Sequence, residues 1–436
     1  MKKYILIADP SKLSRFLLEN LLSEKYNILS VSSFSEAIDV LKETLPSLAI
    51  VSYELKDGQG LELCRYMSND DKLKNVPVIV ISSNEDEKTR LAIYAEGAID
   101  YVPKSKINDE FIKYIDELME LLSMIDISSA TAFAVDDSIL QLKFIENVLK
   151  TVRVNIETFD KPHALIEALK TKIPDVVISD LYMDDIDGIK LTKFLRKNKD
   201  LKHVPIIIQT SSRDAGILRT LMIHGANDYI LKPYSPEELL LKFTTAYKSK
   251  KLYDELEDIN RSLFAKATTD PLTGLYNRRF FMEQFTFLYL NAKRYNQELG
   301  FIILDIDNFK KINDTYGHTC GDEVLVALSK CLKSMLRESD IVGRFGGEEF
   351  VCLIPNVTKN GLLMVVKKIL NSIRNTKIIF DDKVIGFTAS IGAVSCTEMQ
   401  SIDEIIKEAD NLLYDAKSSG KDRCFVKFES EIIEIN

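Results

Sequence analysis

The sequence predicts a chain of several domains, first of α/β class with parallel sheets and then of α+β class. Three observations support this. The length of 436 residues exceeds a typical domain of about 150 residues nearly threefold. The first 250 residues contain an internal repeat, and the pattern of strands and helices changes from Thr269 onward. We therefore predict domains at 1–125, 126–250 and 269–436, with a helical linker at 251–268.

Composition and charge exclude several classes of protein. The formal net charge is −9 and there is no basic tract, so we expect no nucleic-acid partner. The early apolar run 4–8 is too short for a signal peptide or a membrane span. The six cysteines and four histidines show no metal-ligand spacing. We expect a cytoplasmic protein with free thiols and no membrane partner.

The internal repeat has an offset of 128 residues and determines the fold prediction. The aligned segments are 9–11 with 137–139, 46–52 with 174–180, 76–83 with 204–211, and 97–104 with 225–232. Each copy has short apolar strands that alternate with amphipathic helices. This pattern predicts a doubly wound parallel sheet, in which functional sites lie at the carboxyl ends of the strands.

The second copy places chemically active side chains after four of its predicted strands. Asp136 and Asp137 follow the first strand, Asp180 the third, Thr210 the fourth and Lys232 the fifth. Carboxylates that cluster in this way repel each other unless a cation is present, which indicates Mg²⁺. One carboxylate could then act as a nucleophile toward a phosphoryl group.

Residues 131–250 resemble the receiver domain of two-component response regulators, a flavodoxin-like (βα)5 fold. The resemblance implies a cognate histidine kinase as partner and one Mg²⁺. The implied roles are phosphoacceptor for Asp180, magnesium ligands for Asp136, Asp137, Asp180 and the Tyr182 carbonyl, and switch residues for Thr210, Tyr229 and Lys232. Asp184 stands where proline is usual in the family. The alternative is a structural domain of this fold with incidental acids.

The first copy departs from the receiver pattern. Ser52 occupies the acceptor position and Ala8 replaces the first acid in the alignment. The family residues that remain are Asp9, Ser82 and Lys104. Because serine cannot form an acyl phosphate, we interpret residues 1–125 as a receiver-like adaptor that packs and does not switch. The alternative is phosphorylation on a nearby side chain such as Asp57.

The linker carries a heptad-like apolar seam on a helix that continues from the second copy. The seam residues are Leu252, Leu256, Ile259 and Leu263. This spacing is typical of a coiled coil with a second chain. The seam is shorter than three heptads, so a single helix that packs on its own domain remains the alternative.

The C-terminal segment predicts helices that alternate with antiparallel strands. The predicted order is a helix from 270–279 to about residue 295, a strand that ends at 305, a helix at 321–336, a hairpin at 346–347, a helix at 360–373, paired strands near 379 and 389–394, and a final helix at 402–418. This order favours an α+β sheet of the polymerase-palm or ferredoxin-like kind.

The hairpin at Gly346 and Gly347 carries the main candidate site. Two glycines between apolar runs predict a two-residue turn with positive φ at both positions. The turn would present Glu348 and Glu349 beside Asp305, which ends a buried strand. Carboxylates and glycines together indicate a magnesium–nucleotide site. The alternative is an ordinary surface hairpin with acidic residues.

Residues 268–428 resemble a GGDEF domain, the catalytic module of diguanylate cyclases, here in a Gly-Gly-Glu-Glu-Phe form. The whole chain resembles PleD-type response regulators. The resemblance implies two Mg²⁺ held by Asp305, Glu348 and the Ile306 carbonyl, Glu349 near the attacking hydroxyl, guanine recognition by Asn313 and Asp322, and nucleotide phosphates bound by Lys310, Lys417 and Lys421 against Gly346 and Gly347. Lys421 stands where the family often has arginine.

These resemblances imply a phosphorylation-activated diguanylate cyclase that condenses two GTP into cyclic di-GMP and two pyrophosphates in a homodimer. Arg337 and Asp340 match an inhibitory Arg-x-x-Asp site for the product, and Lys368 is a further basic candidate. The alternative for that tetrapeptide is an exposed ion pair. Rival functions are a catalytically inactive nucleotide sensor and a transcriptional regulator, although the acidic chain offers no basic DNA-binding helix.

Overall fold

The computed structural model describes residues 2–84, 86–396, 401–428 and 431–436. It contains two compact units, Met1–Leu256 and Glu257–Asn436. The first unit holds both copies of the repeat, and the second holds the mixed α+β segment. The predicted fold class, two flavodoxin-like domains followed by an α+β domain, is confirmed by the sheets of these units.

The first repeat forms a five-stranded parallel sheet of order β2-β1-β3-β6-β7. Its strands are β1 (Tyr4–Ala8), β2 (Asn27–Val31), β3 (Leu48–Ser52), β6 (Val78–Ser82) and β7 (Asp100–Pro103), with a small hairpin of β4 (Glu54–Leu55) and β5 (Gly58–Gln59). Its helices are α1 (Lys12–Leu22), α2 (Phe34–Glu43), α3 (Gly60–Asn69), α4 (Glu87–Ala95) and α5 (Asp109–Met124). Apolar strand residues are buried on both faces, as expected for a sheet covered by helices on each side.

The second repeat forms the same sheet, with order β12-β11-β10-β8-β9. Its strands are β8 (Thr131–Val135), β9 (Asn155–Phe159), β10 (Val176–Asp180), β11 (Ile206–Thr210) and β12 (Asp228–Leu231). Its helices are α6 (Ile139–Thr151), α7 (Pro162–Ala168), α8 (Gly188–Lys197), α9 (Ala215–Ile223) and α10 (Pro236–Thr268).

The strand registers correct the alignment of the two repeats. Tyr4 pairs with Asn27 in the first copy, and Thr131 pairs with Asn155 in the second. The first strands are therefore offset by 127 residues and the second strands by 128, because the second copy has one more residue between them. The alignment of Asp9 with Asp137 was wrong by one position. Asp9 is equivalent to Asp136, and Pro10 occupies the place of Asp137.

The two repeats pack against each other through α4 of the first and α6 of the second. The ring of Tyr94 meets Phe144 edge-on at a centroid distance of 5.5 Å, and Phe144 meets Tyr234 at the same distance. The Asn147 amide donates to the carbonyl oxygens of Tyr94 at 2.7 Å and Ala98 at 2.9 Å. One buried apolar cluster runs through both repeats, so the first repeat is a packing partner of the second.

The predicted linker is the distal part of α10, a helix of 33 residues. The seam residues are exposed, with 66% of Leu252, 56% of Leu256, 56% of Ile259 and 58% of Leu263 accessible. The alternative in which this seam packs on its own domain is therefore wrong. Among the described residues, no helix has the length and apolar character that a membrane span requires.

The second unit is built on a seven-stranded mixed sheet of order β13-β15-β16-β14-β19-β20-β21. Its strands are β13 (Tyr276–Asn277), β14 (Leu299–Ile306), β15 (Ile341–Gly346), β16 (Glu349–Pro355), β19 (Ala389–Ser395), β20 (Cys424–Phe428) and β21 (Glu431–Ile435), with a separate hairpin of β17 (Lys377–Phe380) and β18 (Lys383–Gly386). Its helices are α11 (Arg278–Tyr295), α12 (Phe309–Tyr316), α13 (His318–Met335), α14 (Lys359–Asn375) and α15 (Ile402–Ser418).

Three features of this unit differ from the sequence prediction. The strand near Ile379 pairs with β18, whereas β19 pairs with β14 and β20. Helix α12 was not predicted, because its eight residues are too few for a clear apolar period. Strands β20 and β21 follow the helix that was expected to end the chain. Apolar side chains from both faces of the sheet form two buried clusters.

Candidate functional site

The carboxylate of Asp305 reaches the candidate site from the most buried strand of the second unit. Strand β14 lies between β16 and β19, and all eight of its residues are buried. Asp305 pairs in register with Glu349 on one side and Ser390 on the other. The sheet therefore fixes the backbone of Asp305 directly beside the backbone that carries Glu349, as the sequence predicts.

The turn that follows β15 lies one residue later than predicted. Gly346 pairs with Glu349, so the two central residues are Gly347 and Glu348. Gly347 has a φ of +52°, whereas Glu348 does not have positive φ. An irregularity in the register between Arg344 and Gly346 causes the shift. Both glycines have positive φ as expected, with +158° at Gly346, but only Gly347 is a central residue of the turn, and Glu348 itself forms the tip.

Arg344 holds this turn in place, a role that the sequence reasoning missed. Its guanidinium donates to the Gly347 carbonyl at 2.7 and 3.0 Å and to Asp270 at 3.1 Å. Asp270 also accepts from the Thr273 backbone and hydroxyl at 2.8 and 2.7 Å. The sequence did contain a signal for this role. An arginine close to a Gly-Gly turn can donate to the turn carbonyl, and the aspartate of an Asp-x-x-Thr turn can accept from the same guanidinium.

All three acids of the site have a raised pKa. Burial raises the pKa of Asp305, and the hydrogen bond from Lys417 opposes this effect. Burial and the charge of Asp305 raise the pKa of Glu348 and of Glu349. The three carboxylates therefore lie close enough to repel each other. Such a set of hard oxygen donors fits Mg²⁺, which would relieve the repulsion.

Two lysines predicted to bind phosphate lie at this edge of the sheet. Lys417 Nζ is 2.9 Å from Asp305 Oδ1. Lys421 donates to the Asn308 side chain at 2.6 Å. Lys310 is exposed on α12. The Ile306 residue is buried in β14, and its backbone pairs with Ala389.

The predicted guanine-binding pair lies on two consecutive helices. Asn313 is on α12 and Asp322 is on α13, where Asp322 is exposed. The Asn313 Oδ1 atom is buried and has no hydrogen-bond partner among the described residues. A Cβ atom on Gly321 would lie 1.9 Å from that oxygen. Gly321 therefore allows the Asn313 amide its position, which leaves a polar group available to a ligand.

Asp307, two residues beyond Asp305, has a structural role. Its carboxylate is buried and accepts from the hydroxyls of Thr388 and Ser390 at 2.7 Å each and from the Asp422 backbone at 3.0 Å. These bonds tie the end of β14 to β19 and to the segment before β20. The carboxylate of Asp307 thus accepts three hydrogen bonds from the protein, whereas that of Asp305 is paired with Lys417.

The second repeat brings its predicted acids together. One oxygen from each of Asp136, Asp137 and Asp180 lies within 4.8 Å of the others. Lys232 Nζ is 2.7 Å from both Asp136 and Asp180. Burial lowers the pKa of Lys232, but its hydrogen bonds to the two acids outweigh that effect and leave the pKa raised. Burial raises the pKa of Asp136. This donor set fits Mg²⁺ at the edge of a receiver-like sheet.

The other predicted switch residues lie on or after neighbouring strands of the same sheet. Thr210 ends β11, is fully buried and accepts from the Ser212 backbone at 3.0 Å. Tyr229 is half-buried on β12, with Lys242 Nζ 5.7 Å from its ring centroid. Tyr182, whose carbonyl is a predicted ligand, donates its backbone N–H to Asp180 at 3.1 Å.

A buried polar network next to Asp180 was missed by the sequence reasoning. Gln209 pairs in register with Asp180. Gln141 donates to the Gln209 side chain at 2.9 Å and to the Tyr234 hydroxyl at 2.6 Å. Since Tyr234 also contacts Phe144, this network joins the acidic cluster to the packing surface between the repeats.

Comparison with known proteins assigns these elements to two families. Residues 5–116 and 132–244 match the family model of the response regulator receiver domain. Residues 267–423 match the model described as diguanylate cyclase, GGDEF domain. The receiver matches span more than half of the chain. This chain belongs to the response regulator receiver family. Its two receiver domains and GGDEF domain follow the order of PleD-type regulators, and its enzymatic class is diguanylate cyclase.

Individual relatives have the same architecture or part of it. The chain is 28% identical over 448 residues to Response regulator PleD of Caulobacter vibrioides, which covers 97% of this chain and 98% of the relative. It is 37% identical over 171 residues to Diguanylate cyclase A of Treponema denticola, covering 38% and 45% of the two chains. A solved structure of the diguanylate cyclase SiaD with its activator SiaC from Pseudomonas aeruginosa is 34% identical, covers 44% of this chain and 74% of that chain, and has a TM-score of 0.38.

The first receiver domain has a different centre. Asp9 is fully buried and pairs with Lys104 at 2.7 Å. Ser52 and Ser82 are also buried, and Pro10 supplies no carboxylate. Asp57 caps the start of α2 by accepting from the Phe34 backbone at 2.5 Å and from the Ser35 hydroxyl at 2.6 Å. The hydrogen bonds from Ser35 lower the pKa of Asp57, so this carboxylate has a structural role.

The predicted inhibitory residues lie at and near the turn after α13. Asp340 accepts from the Arg337 backbone N–H at 2.8 Å, and the described residues show no ion pair between the two side chains. Arg337 is exposed and, with Asp340 and Lys333, borders a cavity of about 410 Å³ that Phe264 and Thr268 also line. Lys368 donates to the Met335 carbonyl at 3.3 Å, so it lies beside the end of α13.

We expect Gly321→Ala to weaken GTP binding by about tenfold to a hundredfold, because the added Cβ must displace the Asn313 amide at a cost of about 1–3 kcal/mol. The dissociation constant for GTP, measured by calorimetry, checks this. Gly386→Ala is the matched control, since a Cβ there meets nothing within 4 Å. Equal GTP affinity in both variants would separate Asn313 from nucleotide binding.

Proposed function

We propose that this response regulator condenses two molecules of GTP into cyclic di-GMP and two pyrophosphates, and that phosphorylation of Asp180 activates it. The division into an adaptor at 1–125, a phosphoacceptor domain at 126–250, a linker at 251–268 and a catalytic domain at 269–436 is part of this proposal. One observation carries the catalytic assignment: Asp305 pairs in register with Glu349, and burial and the charge of Asp305 raise the pKa of both Glu348 and Glu349. In the same domain the buried oxygen of Asn313 has no partner among the described residues.

Asp305, Glu348 and the Ile306 carbonyl would hold two Mg²⁺ in the catalytic domain. When bound, these ions would lower the pKa of the attacking hydroxyl and neutralise the charge that develops on phosphate. Before that, Lys417 partly compensates the charge of Asp305. Lys417, Lys421 and Lys310 would bind the triphosphate as point charges.

The proposed reaction joins the ribose 3′ oxygen of one GTP to the α-phosphorus of a second. The bond between the α-phosphorus and the bridging oxygen breaks, and pyrophosphate leaves. The hydroxyl proton passes to a nearby base, for which Glu349 is the candidate because its raised pKa favours proton uptake. A second step of the same kind closes the ring. Since each domain binds one GTP, two domains must meet across a twofold axis.

Selection of guanine is assigned to Asn313 and Asp322. A carboxylate can accept hydrogen bonds from both N1–H and the 2-amino group of guanine. Adenine lacks both donors, so its binding would leave the carboxylate unpaired, and unpaired buried polar groups discriminate strongly. The exposed Asp322 and the orphaned oxygen of Asn313 are consistent with a ligand that completes their hydrogen bonding.

Control by phosphorylation is assigned to the second receiver domain. A histidine kinase would supply the phosphoryl group to Asp180, with one Mg²⁺ held by Asp136, Asp137, Asp180 and the Tyr182 carbonyl. Thr210, Lys232 and Tyr229 would respond to the new charge and shift the face around Tyr229 toward dimer contacts. The exposed seam of α10 would then pair with that of a second chain.

Substitution Glu348→Ala tests the catalytic proposal. We expect the rate of cyclic di-GMP formation from GTP and Mg²⁺ to fall at least about a hundredfold, since the variant removes charge that would stabilise the transition state. Chromatographic identification of the product measures this rate. Glu283→Ala, on the exposed side of α11, should retain full activity. An active Glu348→Ala enzyme would disprove the assignment of the centre.

Substitution Asp180→Asn tests the switch. We expect it to abolish the increase in activity and in dimer population that beryllofluoride, an acyl-phosphate mimic, produces in the native protein, because the amide cannot act as the acceptor. Activity and sedimentation with and without beryllofluoride measure both effects. Asp184→Asn, an exposed neighbour, should respond normally. Stimulation that persists in Asp180→Asn would refute this acceptor.

Product inhibition is assigned to Arg337 and Asp340, with Lys368 as a further basic group. We expect Arg337→Ala to raise the inhibition constant for cyclic di-GMP by about tenfold to a hundredfold, because a charge-assisted hydrogen bond contributes about 1.5–3 kcal/mol. Initial rates at increasing product concentration give this constant. Arg294→Ala, an exposed arginine on α11, provides the control. An unchanged constant would remove this site from the proposal.

A further inference from the structure

The segment that carries Lys421 has an unusual backbone conformation. Lys421 has a φ of +67° and Asp422 a φ of +49°, directly after Gly420 at +121°. Residues other than glycine rarely adopt this left-handed region, because their Cβ atom crowds the backbone. Two such residues in succession persist only where the surrounding structure holds them. This segment therefore depends on contacts that fix its conformation.

Three backbone groups of the segment are tied down from nearby in the domain. The Lys421 N–H donates to the Ala416 carbonyl at 3.0 Å, near the end of α15. The Lys421 carbonyl accepts from the Arg423 guanidinium at 3.1 Å. The Asp422 N–H donates to the Asp307 carboxylate at 3.0 Å. The carbonyl of Asp422 is the backbone group of these two residues that remains to be held.

Arg374 on α14 holds that carbonyl. Its guanidinium donates to the Asp422 carbonyl at 2.6 Å and to the Asp422 carboxylate at 2.8 Å. A planar guanidinium that binds the carbonyl and the carboxylate of one residue together fixes the orientation of that residue, which a single hydrogen bond does not. Helix α14 carries no residue assigned to GTP or Mg²⁺, so this contact links the nucleotide site to a helix outside it.

The side chain of Lys421 extends from this segment toward the catalytic centre. Its ammonium group donates to Asn308 Oδ1 at 2.6 Å, and Asn308 lies directly before α12, the helix that carries Asn313. Burial raises the pKa of Asp305, and the charge of Lys421 is one of those that oppose this effect. The charge of Lys421 therefore acts on the centre that would receive the triphosphate.

We propose that Arg374 is a positioning residue for GTP, which through Asp422 holds Lys421 in the conformation that presents its ammonium group to the phosphates. The inference rests on the proposed function in taking GTP as the ligand. Arg374 itself would contact neither the nucleotide nor Mg²⁺. Without it, the segment would relax toward ordinary backbone angles and carry the Lys421 side chain away from the centre. A merely structural Arg374 would affect the stability of the domain and not the binding of phosphate.

Nucleotide binding tests this role without any measurement of catalysis. The probes are guanosine and a GTP analogue with a methylene group between the α- and β-phosphorus atoms, which cannot release pyrophosphate. With Mg²⁺ present, we expect Arg374→Ala to weaken binding of the analogue by about tenfold, since a misplaced ammonium group loses a charge-assisted hydrogen bond to phosphate. Guanosine binding should not change. Arg294→Ala, an exposed arginine of α11, should bind both probes as the native protein does.

The same experiment can contradict the proposal in two ways. Equal weakening of both probes would show a general disturbance of the site, and native affinity for both would show that Arg374 has no role in phosphate binding. Thermal unfolding shows whether Arg374→Ala folds. If it does not, Arg374→Lys keeps the charge but cannot bind both acceptors in one plane, and should weaken analogue binding by about threefold with guanosine binding unchanged.

A double variant shows whether Arg374 acts through Lys421. We expect Lys421→Ala and the double variant Arg374→Ala/Lys421→Ala to bind the analogue equally weakly, because no ammonium group is left to position. Additive losses would overturn the proposal. A native protein that binds the analogue in this way but forms no cyclic di-GMP would support the role of Arg374 and disprove the proposed reaction. An active enzyme in which Arg374→Ala binds the analogue normally would do the reverse.

Discussion

Repulsion between carboxylates held at strand ends is the constraint on which both candidate centres depend. In the second receiver domain three acids, Asp136, Asp137 and Asp180, lie together, and two of them, Asp136 and Asp180, pair with the ammonium group of Lys232. In the catalytic domain Lys417 pairs with Asp305, and the charge of Asp305 acts on Glu348 and Glu349. Each centre therefore has a surplus of negative charge, which a divalent cation would compensate.

In the first receiver domain the charges at the equivalent strand ends balance, so the repulsion between carboxylates is absent there. Asp9 and Lys104 form a buried pair with one charge of each sign, and Pro10 and Ser52 add no further acid. Among the described residues, this centre shows no cluster of acids that a cation would need to compensate. Because the other acids are missing, the charges of this centre balance without a ligand. This is what we expect of a domain that contributes packing surfaces.

The sequence predicted the features that follow from the local pattern of apolar and polar residues. It did not predict those that depend on which residues of two strands pair with each other. The parallel sheets were predicted from the repeat. The position of Asp305 near the end of a buried strand was predicted from the apolar run before it. The one-residue shift between Asp9 and Asp137 could not be seen, because the extra residue lies between the first and second strands, outside the apolar segments on which the alignment was based. Only the registers of β1 with β2 and β8 with β9 revealed it.

The site residues that escaped prediction act through partners far away in sequence. Arg344 supports the turn because it reaches both Gly347 and Asp270, and Gly321 matters because of its distance to Asn313. Single-sequence reasoning weighs a residue by its own chemistry and its near neighbours, whereas these roles arise from tertiary contacts. Glu348 shows the same limit, since a bulge near Phe345 moved the turn by one residue and brought this carboxylate to the tip.

Repetition within the chain also explains how the two receiver domains meet. Two domains of the same fold can pack through like faces or through unlike faces, and the observed pairing of α4 with α6 is of the second kind. The contact is fixed by Asn147 of the second domain, whose amide donates to the carbonyl oxygens of Tyr94 and Ala98 in the first. The two copies therefore share one fold but contribute different surfaces to their contact, so that the loss of acids in the first copy leaves its packing role intact.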